Sequence, residues 1–195
     1  MSAAVTVALL FFLSVALNEQ VTEGCTCLPR HPQQHFCTSD IVIRAKVIEK
    51  VSCTRPGLNA YKIQTIQTFK QLDKKRIQVI YTRTTPNFCG ISLYNDEYLL
   101  SGRVEDGRVI LNLCDLVKPW NQLSQVQKEY LSIYQKGCVC EISPCTGESC
   151  LIKILQKKCL MRVTNRYWLD DEKALRSICL PGNDGFCRWQ QILNK

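Results

Sequence analysis

Apolar and polar positions alternate in short runs through the first half of the chain, and this predicts strands. Ile41-Val42-Ile43-Arg44-Ala45-Lys46-Val47 is rich in β-branched residues and follows a Thr-Ser-Asp turn signal. Tyr61 to Thr65 alternates cleanly, and Ile66 then breaks the period, which predicts a bulge or bend at that residue. Ile77 to Tyr81 alternates again. Tyr98 to Val104 and Val109 to Leu113 flank Glu105-Asp106-Gly107-Arg108, where Asp-Gly predicts a tight hairpin. Five such strands with one tight hairpin predict a small closed barrel.

The period then changes. Ser124-Gln125-Val126-Gln127 fits a capping box, and Val126, Tyr130, Leu131 and Ile133/Tyr134 form one apolar helical face. Gly137 stands where a glycine just past the last turn stops a helix, and Cys138-Val139-Cys140 follows at once. Seven cysteines lie within residues 138–187. About 55 residues bury little apolar surface by themselves, so this part is expected to depend on crosslinks. The domain division expected is a leader over residues 1–24, a barrel domain over 25–138 and a small disulfide-rich domain over 139–195.

The leader reading comes from Val5 to Leu17, an uncharged apolar run too short to span a bilayer but long enough for a signal-peptide core. Cysteine usage points the same way: all 13 cysteines lie from Cys25 onward, a density that fits disulfides made in an oxidising compartment. The odd count leaves at least one thiol unpaired or joined to another chain. Secretion to the extracellular space or matrix is therefore expected, with no membrane span and no nucleic-acid partner. Removing residues 1–24 takes away Glu19 and Glu23 and no basic residue, leaving 25 Lys and Arg against 15 Asp and Glu, a balance of +10. That excess reads either as an ordinary solvated basic surface or as affinity for heparan sulphate or other matrix glycans.

Catalytic patterns are scarce. His31 and His35 are the only histidines, and the sequence has no His-Glu-x-x-His helix, Gly-rich phosphate loop or Gly-x-Ser-x-Gly elbow. A Cys37/His35 protease needs a reduced, ionised thiol, which an oxidising compartment does not preserve. Oxidation likewise argues against a metal site built from the chain's own cysteines. The expectation is a protein without enzymatic activity and without a cofactor of its own.

The amino terminus carries the chemistry. Cleavage after Gly24, with Thr22 and Gly24 at the −3 and −1 positions, frees the α-amine of Cys25 beside its own carbonyl. Those two groups can close a five-membered chelate on a metal, since an α-amine has a pKa of about 7.7–8.0 and yields its proton to zinc. Catalytic zinc keeps one open position for such a ligand. A rival cleavage after Ala16 would leave residues 17–24 in place and lock the amine in a peptide bond.

Cys25-Thr26-Cys27, His31-Pro32-Gln33 with Cys37, Val42-Ile43-Arg44-Ala45-Lys46, Phe88-Cys89-Gly90, Leu113-Cys114, Pro119-Trp120-Asn121, Gly137-Cys138-Val139-Cys140 and Cys187-Arg188-Trp189 occur in that order. In this the whole mature chain resembles the tissue inhibitor of metalloproteinases family. The resemblance implies an oligonucleotide/oligosaccharide-binding (OB) barrel of the netrin-like kind, mainly β with accessory helices. It implies the bridges Cys25–Cys89, Cys27–Cys114, Cys37–Cys138, Cys140–Cys187, Cys145–Cys150 and Cys159–Cys179, which leaves Cys53 unpaired. It also implies that Cys25 ligates the zinc of a target protease. Thr26 would enter a specificity pocket, Cys27, Leu28 and Pro29 would lie along the cleft, and Pro86, Asn87, Phe88, Cys89 and Gly90 would sit beside them. The partners implied are matrix metalloproteinases and disintegrin-type metalloproteinases, met by a monomer, with a dimer linked through Cys53 as the alternative. The other reading of the same barrel is a netrin-type module that binds matrix or a receptor and inhibits no protease. Two departures stand out. Cys159-Leu160-Met161-Arg162 replaces the family's usual Cys-Leu-Trp, which predicts an altered surface there, and the short tail after Cys187 lacks the acidic extension that some members use to hold a proenzyme.

Overall fold

The computed structural model describes residues 25–72, 76–84, 89–151, 156–165, 168–169 and 172–191. Its first half is a closed five-stranded barrel. β1 (Ile41–Val51), β2 (Leu58–Gln71), β3 (Val79–Arg83), β4 (Glu97–Glu105) and β5 (Arg108–Leu111) run in the order β1-β2-β3-β5-β4, and β4 pairs back with β1 to close the ring. All pairs are antiparallel except β3–β5, where Tyr81 faces Ile110 and Thr82 faces Leu111. Period-2 alternation fills the interior: Ile41, Ile43, Ala45 and Val47 of β1 meet Tyr61, Ile63, Ile80, Leu100 and Leu111.

The predicted irregularity at Ile66 is a bulge. Arg44 pairs with Gln67 and Ala45 with Thr65, so Ile66 is the extra residue, and its side chain is 46% exposed. A second shift leaves Phe69 opposite no residue of β1 and lets it stack on Trp120, with centroids 6.2 Å apart. The β4–β5 hairpin turns on Asp106 (φ 48°) and Gly107 (φ 72°), both left-handed as a type I′ turn requires. A short strand missed in the sequence, β6 (Val117–Pro119), pairs with the outer edge of β4.

Two helices pack outside the barrel. α1 (Pro32–Thr38) has no strong apolar periodicity in sequence; α2 (Gln125–Tyr130) has the expected capping box, with the Ser124 hydroxyl accepting from Gln127 N–H at 3.2 Å and Gln127 Oε1 accepting from Ser124 N–H at 3.1 Å. α2 is shorter than the periodicity suggests. It ends at Tyr130, and a 3-10 turn over Tyr134–Gly137 carries the rest of the apolar face. Gly137 is not the left-handed stop expected, since it is absent from the positive-φ glycines. It is glycine for space: a Cβ there would collide with the Cys179 carbonyl and the Gln33 amide. Phe36, Val42, Leu99, Leu123, Tyr130, Leu131 and Tyr134 form a second core between helices and barrel, and Ile178 from the last third of the chain joins it.

Beyond residue 140, β7 (Glu141–Cys145), β8 (Lys158–Asn165) and β9 (Trp168–Leu169) form one small sheet. After α3 (Glu172–Leu175), β10 (Ile178–Pro181) and β11 (Cys187–Gln190) form a hairpin. Their core is built on Cys140, Ile142, Cys159, Met161, Val163, Cys179 and Cys187. Met161 is fully buried, so the change from the family's Cys-Leu-Trp alters a core position rather than the expected surface. Alternation along β8 explains it: Cys159, Met161 and Val163 point inward while Arg162 points out. Among the described residues, no helix is long and apolar enough to cross a membrane.

Candidate functional site

Residues 25–30 precede the first helix as a strap that lies outside any helix or strand. Its side chains alternate: Cys25 and Cys27 are half-buried, while Thr26 and Leu28 are exposed, Leu28 by 65%. Alternation is what an extended backbone gives when every second side chain is tethered. The tethers are disulfides, Cys25 to Cys89 and Cys27 to Cys114, with Cα–Cα distances of 5.5 and 5.2 Å.

The two anchors support each other. Leu113 N–H donates to the Cys89 carbonyl at 2.8 Å, which joins the loop after β3 to the loop after β5. Cys89 holds φ 54°, a left-handed value uncommon outside glycine, asparagine and aspartate. Beside Cys114, the Asp115 carboxylate accepts from Asn112 N–H at 2.7 Å and closes the turn that presents the cysteine. Burial raises the Asp115 pKa, opposed by the Asn112 hydrogen bonds and by Arg103 and Arg30. Reading Val109 to Leu113 as one strand passes over this turn, although its two partners, Asn112 and Asp115, lie only three residues apart.

Gly90 lies beside Cys89 and is half-buried. Pro86, Asn87 and Phe88 lie outside the described residues, as do residues 1–24, where the leader is expected. On its other side the strap borders a cleft of about 390 Å³, walled by Leu28 and Pro29 and by Pro144, Thr146, Ser149 and Val163 of the last third of the chain. The remaining bridges are Cys37–Cys138, Cys140–Cys187, Cys145–Cys150 and Cys159–Cys179, and Cys53 is the free cysteine, half-buried in the β1–β2 loop. Cys140, Cys179 and Cys187 bring three sulfurs within 4.8 Å of one another, but each is already in a disulfide and offers no thiolate to a metal.

Where the strap ends, His31 begins α1. Its Nδ1 accepts from Gln33 N–H at 3.1 Å, and its Nε2–H donates to the Ala174 carbonyl at 2.9 Å. Gln34 Oε1 accepts from His31 N–H at 2.7 Å, completing the cap. At the other end of α1, Lys70 Nζ donates to the Phe36 and Cys37 carbonyls at 3.0 and 2.9 Å, and its burial lowers its pKa.

Fold and site together define a class: a disulfide-rich barrel protein that carries residues 25–30 as a strap crosslinked to its loops. Sequence comparison narrows it. The model of the family described as tissue inhibitor of metalloproteinase matches residues 23–189. A metalloproteinase inhibitor 3 of Scyliorhinus torazame is 34% identical, the match covering 96% of this chain and 91% of that protein. A metalloproteinase inhibitor 4 of Mus musculus is 38% identical over 86% of this chain and 80% of its own length. A metalloproteinase inhibitor 2 of Cricetulus longicaudatus is 36% identical, covering 85% and 91%. The chain belongs to the tissue inhibitor of metalloproteinase family. That family is one of inhibitors, and the chain is not an enzyme.

Proposed function

We propose that the chain, secreted and cleaved after Gly24, inhibits metalloproteinases by laying residues 25–29 in the active-site cleft. The Cys25 amine and carbonyl then chelate the protease's catalytic zinc in its open position. Residues 25–138 are the inhibitory unit, and residues 139–195 are its crosslinked companion. The observation that carries this reading is the doubly bridged strap with Thr26 and Leu28 turned outward. Two bridges fix the chelating residue before binding, so little conformational entropy remains to be lost on association. The relatives' names support a metalloproteinase target, with matrix metalloproteinases first and disintegrin-type enzymes second. The basic balance supports retention on heparan sulphate.

The test is made on the amine. Acetylating it, or adding one residue before Cys25, should abolish inhibition of a matrix metalloproteinase catalytic domain while the circular dichroism spectrum stays unchanged. Inhibition that survives either change removes the chelation mechanism. The mass of the secreted chain shows independently whether it starts at Cys25.

A further inference from the structure

We infer that the bridges Cys140–Cys187 and Cys159–Cys179 form one thiol-exchange unit: a small thiol that opens the first displaces the second, and the last hairpin loses its crosslinks to the small sheet.

Both bridges tie the same two pieces together. Cys159 lies on β8 and Cys179 on β10, while Cys140 immediately precedes β7 and Cys187 opens β11. The other four bridges lie elsewhere. The sulfurs of Cys140, Cys179 and Cys187 are within 4.8 Å of one another, so the Cys179 sulfur sits beside both atoms of the neighbouring bridge. Exchange proceeds by attack of a thiolate on a disulfide sulfur, and access governs its rate.

Access here is graded. Cys187 and Cys140 are 8% and 7% exposed, Cys159 is 3% and Cys179 is 0%. A thiol from solution therefore meets the outer bridge, and the inner sulfur is reached from the thiolate that this attack releases. The strand register helps. Cys179 pairs with Trp189 and Cys187 with Pro181, so Cys179 and Cys187 project from the same face of the hairpin.

The step balances without an oxidant. The thiolate of a small thiol of the glutathione class attacks Cys140 Sγ, forms a mixed disulfide there and releases the Cys187 thiolate. That thiolate attacks Cys179 Sγ. The Cys179–Cys187 bond forms, the Cys159–Cys179 bond breaks, and Cys159 leaves with the electron pair and takes a proton from water. One thiol is consumed and one appears. Two crosslinks from sheet to hairpin have become one crosslink within the hairpin, which keeps the bond from Trp189 Nε1–H to the Leu160 carbonyl at 2.8 Å. The barrel bridges from Cys25, Cys27 and Cys37 take no part.

The experiment uses the full-length mature protein. Cys140→Ser leaves the Cys187 thiol beside Cys179 with no reductant added, which isolates the second step. Folded protein is alkylated at intervals, and peptide mapping by mass reads which cysteines carry the label. Label is expected on Cys159 as well as on Cys187 and Cys53, together with a Cys179–Cys187 peptide. It should appear about tenfold faster for each pH unit between about 6.5 and 7.5, because the thiolate is the attacking species. Cys145→Ser is the control, since the Cys150 thiol it frees is outside the cluster and its label should stay on Cys150. Label confined to Cys187 and Cys53 overturns the inference. So does equal migration in the control, which would mean general scrambling. If Cys140→Ser does not fold, Cys187→Ser frees Cys140 beside the same sulfur; label on Cys159 is again expected, and label on Cys140 and Cys53 alone overturns the inference. Wild-type protein treated with reduced glutathione tests the whole sequence: glutathione on Cys140 with a free Cys159 is expected. Glutathione there with Cys159–Cys179 intact, or no adduct on Cys140 or Cys187 while the protein stays folded, defeats it.

Discussion

His35 sits on α1 beside Arg30 and His31, and burial followed by those two charges lowers its pKa from 6.5 to about 4. Above pH 6.5 the ring is neutral in both folded and unfolded chains. Between pH 6.5 and 4 the unfolded chain takes up a proton that the folded one refuses, so stability falls as pH falls through that window. The loss is at most about 3 kcal/mol when complete near pH 4. Urea midpoints measured at pH 7, 6 and 5 should decline, and His35→Gln should flatten that decline; a flat wild-type profile contradicts this. Gly137 is the other decisive single position. Gly137→Ala brings a methyl against the Cys179 carbonyl and the Gln33 amide, and the cost expected is about 1–3 kcal/mol from overpacking. A melting temperature equal to that of wild type shows instead that α1 moves away freely.

Among the elements, the barrel strands and α2 were legible because their signals are local. The Ile66 break in alternation, the Asp106-Gly107 turn and the Ser124-Gln127 box each act over a few residues, and each forms as its pattern suggests. α1, β6 and the strands after residue 140 were not legible. α1 is held by Lys70, by Gln33 contacts and by the Cys37–Cys138 bridge, all of them distant in sequence. β7 and β8 pair in parallel across a connection that their own residues do not encode. Cross-molecule pairing overrides weak local preference there.

For the whole molecule, crosslinks outweigh any single contact. The first three bridges close loops of 64, 87 and 101 residues, each contributing about 4 kcal/mol if loop entropy governs. With twelve cysteines paired, Cys53 is the single thiol. Titration under denaturing, non-reducing conditions should therefore find one thiol per chain, and Cys53→Ser should find none and abolish any disulfide-linked dimer. Two or more thiols per chain would mean that one of the six bridges does not form.

The sequence by itself determined the barrel strands, the hairpin, the α2 cap and the odd cysteine. These follow from periodicity, turn chemistry and cysteine number, which act over a few residues or simply count. The tertiary structure alone decided that His31 and Gln33 are buried hydrogen-bonding groups rather than loop residues. It also decided that Gly137 is there for space, and that Met161 lies in a core. Each of those roles depends on a partner 40 or more residues away brought close by folding, or on which face of a strand is covered.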